Sequence, residues 1–139
     1  MTGKELIKKW EGLRLEAYLD GGGVPTIGWG HTKGVKMGDK ITLEQAQAFF
    51  DEDYNEAAFA VLANVNVPLN ENQLGALICF VYNVGMGAFK QSTLLRLLNE
   101  GKYIEASNQF PRWNKDNGQV VTGLTNRRLE EKAVFNTPV

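Results

Sequence analysis

Apolar positions recur at three- and four-residue spacing along most of the chain, and each such run predicts a helix. Leu6, Ile7, Trp10 and Leu13 follow a capping box of Thr2 with Glu5, so residues 3–12 read as a short helix stopped by Gly12. Thr42 and Gln45 form a second box ahead of Leu43, Ala46, Phe49, Phe50, Ala57, Val61 and Leu62, which predicts one long helix over about 43–63. Asn70 caps a third, residues 71–84, in which Leu74, Leu77, Ile78, Phe80, Val81 and Val84 leave little polar face. A helix apolar on nearly every side belongs in the middle of a core. Gly85 and Gly87 stop it, Ser92 opens a leucine-rich helix ended by Gly101, and residues 102–110 make a shorter one before Pro111. A last helix is expected from about Leu124 to Phe135.

Between residues 15 and 33 the period changes. LEAYL, a run of three glycines and VPTIGW read as a small antiparallel sheet of two or three strands, with Gly28, Gly30 and Gly34 at tight bends. Pro25 lacks a ladder donor, so its strand starts there or lies at an edge. Asn117-Gly118, between polar residues and Val120-Val121, marks a loop or small hairpin.

Composition narrows the class. A chain of 139 residues, 43% hydrophobic and 22% charged, is one soluble domain's worth of material. Seven bases and ten acids give residues 1–70 a charge of −3, and eight bases and six acids give residues 71–139 a charge of +2. That asymmetry contains no basic stripe of the kind nucleic-acid binding requires. The one cysteine, Cys79, sits in the apolar run LGALICFVY and reads as a core residue, and no disulfide can form within the chain. The start MTGKELIKKW has no signal-peptide run, and no stretch approaches about 20 apolar residues, so synthesis in a cytosol is expected.

The candidate chemistry lies in EGLRLEAYLDGGGVPTIGWGHT, residues 11–32. Glycosidic cleavage needs one carboxyl to protonate the leaving oxygen and a second group to manage the cation and the water. Glu11 is the candidate acid; packing by Trp10 and Leu13 would shield it from water, which favours a protonated carboxyl. Asp20 would stay ionised beside Gly21, Gly22 and Gly23, which open the backbone to solvent. Thr26 offers a hydroxyl able to hold a water near Asp20. Spacing alone equally allows a solvated helix-end acid, a turn-forming Asp and an ordinary strand Thr. His31, the only histidine, has no second ligand beside it and reads as structural. Arg127 and Arg128, taken by themselves, read as a solvated pair.

EGLRLEAYLD and VPTIGWGHT resemble the catalytic hairpin of the phage-type lysozymes, the endolysins of glycoside hydrolase family 24, whose signature is a Glu, an Asp and a Thr at these offsets followed by a glycine-rich GxGH turn. The likeness continues through ITLEQAQAFFDED, VPLNENQLGALICFVYNVGMGAF, STLLRLLNEG, FPRWNK and GLTNRR, nearly the whole chain. It implies an α+β lysozyme-like fold in a single domain, residues 1–139. A sheet-bearing lobe spans about 12–42, an interlobe helix about 43–63, and a helical lobe about 64–139, with the first helix packing near the last of these. The resemblance implies hydrolysis of the β-1,4 bond between N-acetylmuramic acid and N-acetylglucosamine in peptidoglycan, with Glu11, Asp20 and Thr26 catalytic. Thr32, Tyr82, Asn83 and Asn108 would bind sugar, the bland alternatives being core for Tyr82 and a cap or surface amide for the Asn residues. Arg127 would reach toward Glu11, no metal or organic cofactor is called for, and a monomer is expected. Its biological counterpart is lysis of a host bacterium after release through a holin lesion, and family precedent favours inversion at the anomeric carbon. Two rivals are a lytic transglycosylase, which uses one acid and no water, and a wall-binding module without chemistry.

Overall fold

The computed structural model describes residues 1–139. Three of its helices begin with a complete capping box, in which the cap side chain accepts from the third backbone N–H while the third side chain accepts from the cap N–H. These are α1 (Gly3–Glu11, Thr2 with Glu5), α2 (Leu43–Asn64, Thr42 with Gln45) and α3 (Glu71–Val84, Asn70 with Gln73). Each box satisfies two amides that a helix start otherwise leaves unpaired.

Central α3 is buried without a break from Gly75 to Val81, walled by α1, α2 and α7 (Thr122–Phe135). Its crossing with α1 is a contact of two glycines. A Cβ built on Gly3 would lie 2.8 Å from the Gly75 Cα, and one built on Gly75 would lie 3.1 Å from the Gly3 N. A buried cluster running from Leu6 and Ile7 through Phe50, Leu77 and Phe80 to Phe135 fills the space between the helices. Phe80 meets Phe110 and Trp113 edge to face, at centroid distances of 5.3 and 5.5 Å, the favoured arrangement for aromatic quadrupoles.

Gly85, at φ +91°, ends α3 and also caps a five-residue helix α4 (Met86–Lys90), where the sequence predicts only a stop. The Ser92 Oγ accepts from Leu95 N at the start of α5 (Thr93–Asn99). The predicted helix over 102–110 is shorter: α6 covers Tyr103–Ser107, and Phe110–Arg112 forms a separate 3-10 turn that accommodates Pro111, whose ring lacks the donor a continuing helix needs. Helix α7 begins two residues before the expected Leu124, after Val121, with no side-chain cap to mark the spot.

Strands β1 (Arg14–Leu19) and β2 (Pro25–Gly28) pair antiparallel, Tyr18 opposite Thr26 and Leu19 opposite Pro25, with a register shift toward Arg14. Residues 39–41 run beside β1 as the trace of a third strand: Glu16 bridges Lys40, Ala17 N donates to Asp39 O at 2.9 Å and Ile41 N donates to Leu15 O at 2.9 Å. Strands β3 (Lys115–Asp116) and β4 (Gln119–Val120) form a small hairpin whose turn residues, Asn117 and Gly118, both have positive φ, the type I′ requirement. The fold is α+β, with the sheet held against α2 where Gly28 faces Ala46. No helix is long and apolar enough to cross a membrane.

Candidate active site

One cleft of about 850 Å³ is lined by Glu11, Tyr18, Asp20, Thr26, Thr32, Tyr82, Asn83, Trp113 and Asp116, among others. Its functional groups come from separate elements, so each has its own anchor.

Glu11 is the last residue of α1, which stops at Gly12 with φ +68°. The expected shielding by Trp10 and Leu13 is not what encloses it. Leu13 is exposed, and the Trp10 indole donates to Glu130 Oε1. Instead Arg127 Nη1 donates to Glu11 Oε2 at 2.5 Å, and Gly30 covers the other oxygen. A Cβ on Gly30 would fall 2.3 Å from Glu11 Oε1, and the backbone there has φ +78°, so only glycine fits.

Asp20 starts the glycine turn and is held by it. Its Oδ1 accepts from Gly22 N at 2.9 Å and from Val24 N at 2.8 Å. Both bonds fall on one oxygen, which fixes the carboxylate and leaves Oδ2 without a protein partner in a residue that lines the cleft. Thr26, 3% exposed, donates its hydroxyl proton to Val24 O at 2.8 Å. Toward the cleft it therefore presents only lone pairs. A water placed between them would donate to Thr26 and to Asp20, leaving an oxygen lone pair free for attack.

Tyr82 is half-buried, and its hydroxyl donates to Trp29 O at 2.5 Å; burial pushes its phenol well above the ordinary tyrosine range. Its ring borders both the main cleft and an adjoining cavity that also takes in Thr32. Asn83 is exposed, with Oδ1 held by Arg128 Nη1 at 2.9 Å. Asn108 is not brought to the cleft: it is the exposed C-cap of α6.

Arg127 and Arg128 are not a solvated pair. They are 4% and 0% exposed, and the first turns of α7 carry them under the cleft floor. Burial works against the charge of Arg127, yet Cys79 and the Glu11 and Glu131 carboxylates beside it together outweigh burial and hold the guanidinium above its usual range; burial pulls Arg128 down. His31 lies behind the site, stacked on Phe49 at 4.1 Å, with Nδ1 2.8 Å from Asp53 Oδ2. Arg112, Lys115, Asp116 and Leu124 are cleft-lining residues for which the sequence carries no local signal. Trp113 is recognisable there only as an aromatic among polar neighbours.

A family model described as phage lysozyme matches residues 8–131. An endolysin of Acyrthosiphon pisum secondary endosymbiont phage 1 is 45% identical over 139 residues, 97% of this chain and 95% of that protein. An endolysin of Bacillus phage PZA is 44% identical over 98% of this chain but 54% of its own length, so the chain spans about half of that relative. Among solved structures, the muramidase domain of SpmX from Asticaccaulis excentricus superposes with a TM-score of 0.88 and 41% identity, covering 98% of this chain and 95% of that one.

Proposed function

The chain belongs to the phage lysozyme family, and from that premise we propose that Glu11 is the general acid, and Asp20 and Thr26 the water-handling pair, of an endolysin that hydrolyses peptidoglycan between N-acetylmuramic acid and N-acetylglucosamine. The observation that supports this assignment most is the meeting of one helix-end carboxyl, one turn-held carboxylate and one hydroxyl stripped of its donor in the same cleft.

In this mechanism the sugar chain lies along the cleft and Glu11 protonates the departing glycosidic oxygen. Delivery requires the ion pair with Arg127 to loosen as substrate displaces water from the site. The Asp20 carboxylate stabilises the oxocarbenium that forms. Thr26 and Asp20 together aim a water at the face opposite the leaving group, and Asp20 takes its proton as the new C–O bond forms, which inverts the anomeric carbon. Thr32, Tyr82 and Asn83 form the sugar-binding wall. We read the chain as one domain of two lobes joined by α2, acting as a monomer, since every group named comes from a single chain. It would be made in the host cytoplasm and reach the wall through a holin lesion.

Mass spectrometry of the products released from purified peptidoglycan tests the reading. Muropeptides with reducing ends are expected. Anhydro products would replace the proposal with a transglycosylase, and a folded protein releasing nothing soluble would replace it with a wall-binding module.

A further inference from the structure

Two guanidinium groups and two carboxylates meet beneath the cleft, and the mechanism above uses only Glu11 and Arg127. The other two, Arg128 and Glu131, are both 0% exposed. Removing charges from water is costly, and apolar side chains of the same volume would pack that space at less cost. Their geometry is that of a hub. Glu131 Oε2 accepts from Arg127 Nε at 3.3 Å and from Arg128 Nη2 at 2.8 Å. Glu131 Oε1 lies 2.6 Å from Arg128 Nε, close enough to pair the charges but off the line of a hydrogen bond, and neither atom has another partner.

The spacing makes this possible. Arg127 and Arg128 are neighbours on α7 and leave the helix about 100° apart, while Glu131 follows them at i+4 and i+3 and so lies between them. Each arginine then extends toward the cleft with its remaining donors. Arg127 reaches Glu11 at 2.5 Å, and Arg128 reaches Asn83 Oδ1 at 2.9 Å. Arg127 Nη2 is also tied to Cys79 O at 3.1 Å, so the hub is fastened to α3 as well. Because the Asn83 oxygen is committed to Arg128, that amide offers the cleft its NH₂ donors, which suit a substrate carbonyl or hydroxyl oxygen such as an acetamido C=O.

We infer that Glu131 is a positioning residue that sets the proton donor through Arg127 and, through Arg128, turns Asn83 into a donor for the sugar chain. One buried acid thereby couples catalysis to substrate orientation. The inference rests on the proposed function, and its two arms predict different kinetics: Arg127 acts on kcat, Arg128 on KM.

Soluble glycan fragments of defined length serve as substrate, with rates normalised to folded protein by circular dichroism. The parent and Glu11→Gln run alongside as controls. The paired replacement Arg128→Met with Glu131→Leu removes the hub without leaving a lone buried charge, so it is expected to fold with a melting midpoint near the parent's. Its kcat is expected to fall and its KM to rise, each by on the order of tenfold. Glu131→Gln, of equal size and without charge, is measured beside it, so a misfolded pair variant does not end the test; it is expected to lower kcat by a similar factor. Asn83→Ala and the Arg128→Met with Glu131→Leu pair, each raising KM alone, are expected to raise it no further when combined, because they remove the same contact. Folded variants with parental kcat and KM, or KM effects that simply multiply, would reduce Glu131 and Arg128 to a scaffold. A parent that releases no reducing ends would overturn the functional reading itself, whereas an active parent, a dead Glu11→Gln and parental hub variants would overturn only this inference.

Discussion

Thr26 has one proton, and the Val24 carbonyl takes it. What remains for the cleft is a pure acceptor, so the proposed chemistry needs an oxygen at that place more than it needs a threonine. Thr26→Val keeps the shape and removes the lone pairs. It is expected to cost about a hundredfold in kcat with little change in KM, while Thr26→Ser keeps most of the activity. Initial rates of reducing-end release, with circular dichroism for the fold, decide it; a fully active valine variant would show that the hydroxyl positions nothing. Asp20 is tied in the same way at Oδ1 alone, which is why the glycines that follow it matter: they bring two amides onto one oxygen. The residue types Glu11, Asp20 and Thr26 stand out in the sequence because their resemblance to a known signature singles them out. Gly30 is legible there as a bend, but that it is glycine because Glu11 presses on it is a contact between distant elements, which local pattern does not record.

At the scale of elements, the crossing of α1 over α3 fixes where the helix end carrying Glu11 points. It depends on Gly75 meeting Gly3, backbone on backbone. Gly75→Ala gains helix propensity and loses that approach, and the added methyl has only main chain to push. A net destabilisation of about 1–3 kcal/mol is expected from the overpacking, read as a lower urea midpoint; a midpoint at or above the parent's would mean the helices part without cost. The turn after β2 is joined to α2 by His31 with Asp53. Burial raises the Asp53 carboxyl above its ordinary 3.8, against the pull of His31. The folded state therefore binds that proton more tightly than the unfolded one. Its stabilising contribution is complete below the ordinary carboxylate value and is lost as pH rises through the raised one. Asp53→Asn is expected to remove this downward slope from the stability profile, measured by urea midpoints across that window; an unchanged slope would assign it to another group. Helices with capping boxes are legible almost to the residue, since a cap is a local signal, as at Thr2, Thr42 and Asn70. Helices α4, α6 and α7 lack side-chain caps, and their limits follow from packing that sequence spacing does not contain.

For the whole molecule, the α+β architecture follows from the alternation of a glycine-rich sheet segment with long apolar helices, and similarity over nearly the full chain agrees with it. The cleft is less legible because it is assembled from ends that are far apart in sequence: α1, the β1–β2 turn, the end of α3, the β3–β4 hairpin and α7. Arg128 shows the difficulty most plainly. Two adjacent arginines read as surface, and only the folded chain brings Glu131 and Asn83 to them. Asn108 shows the reverse, a polar residue near a helix end that faces solvent instead of the cleft. In the proposed mechanism, proton delivery by Glu11 carries the reaction. The direct measurement is release of reducing ends from purified peptidoglycan by the parent and by Glu11→Gln, an isosteric change that keeps a hydrogen bond to Arg127 within reach. Steady release by the parent and a loss of at least about a hundredfold in the folded variant are expected. Equal release by both would contradict it and place the proton donor elsewhere in the cleft.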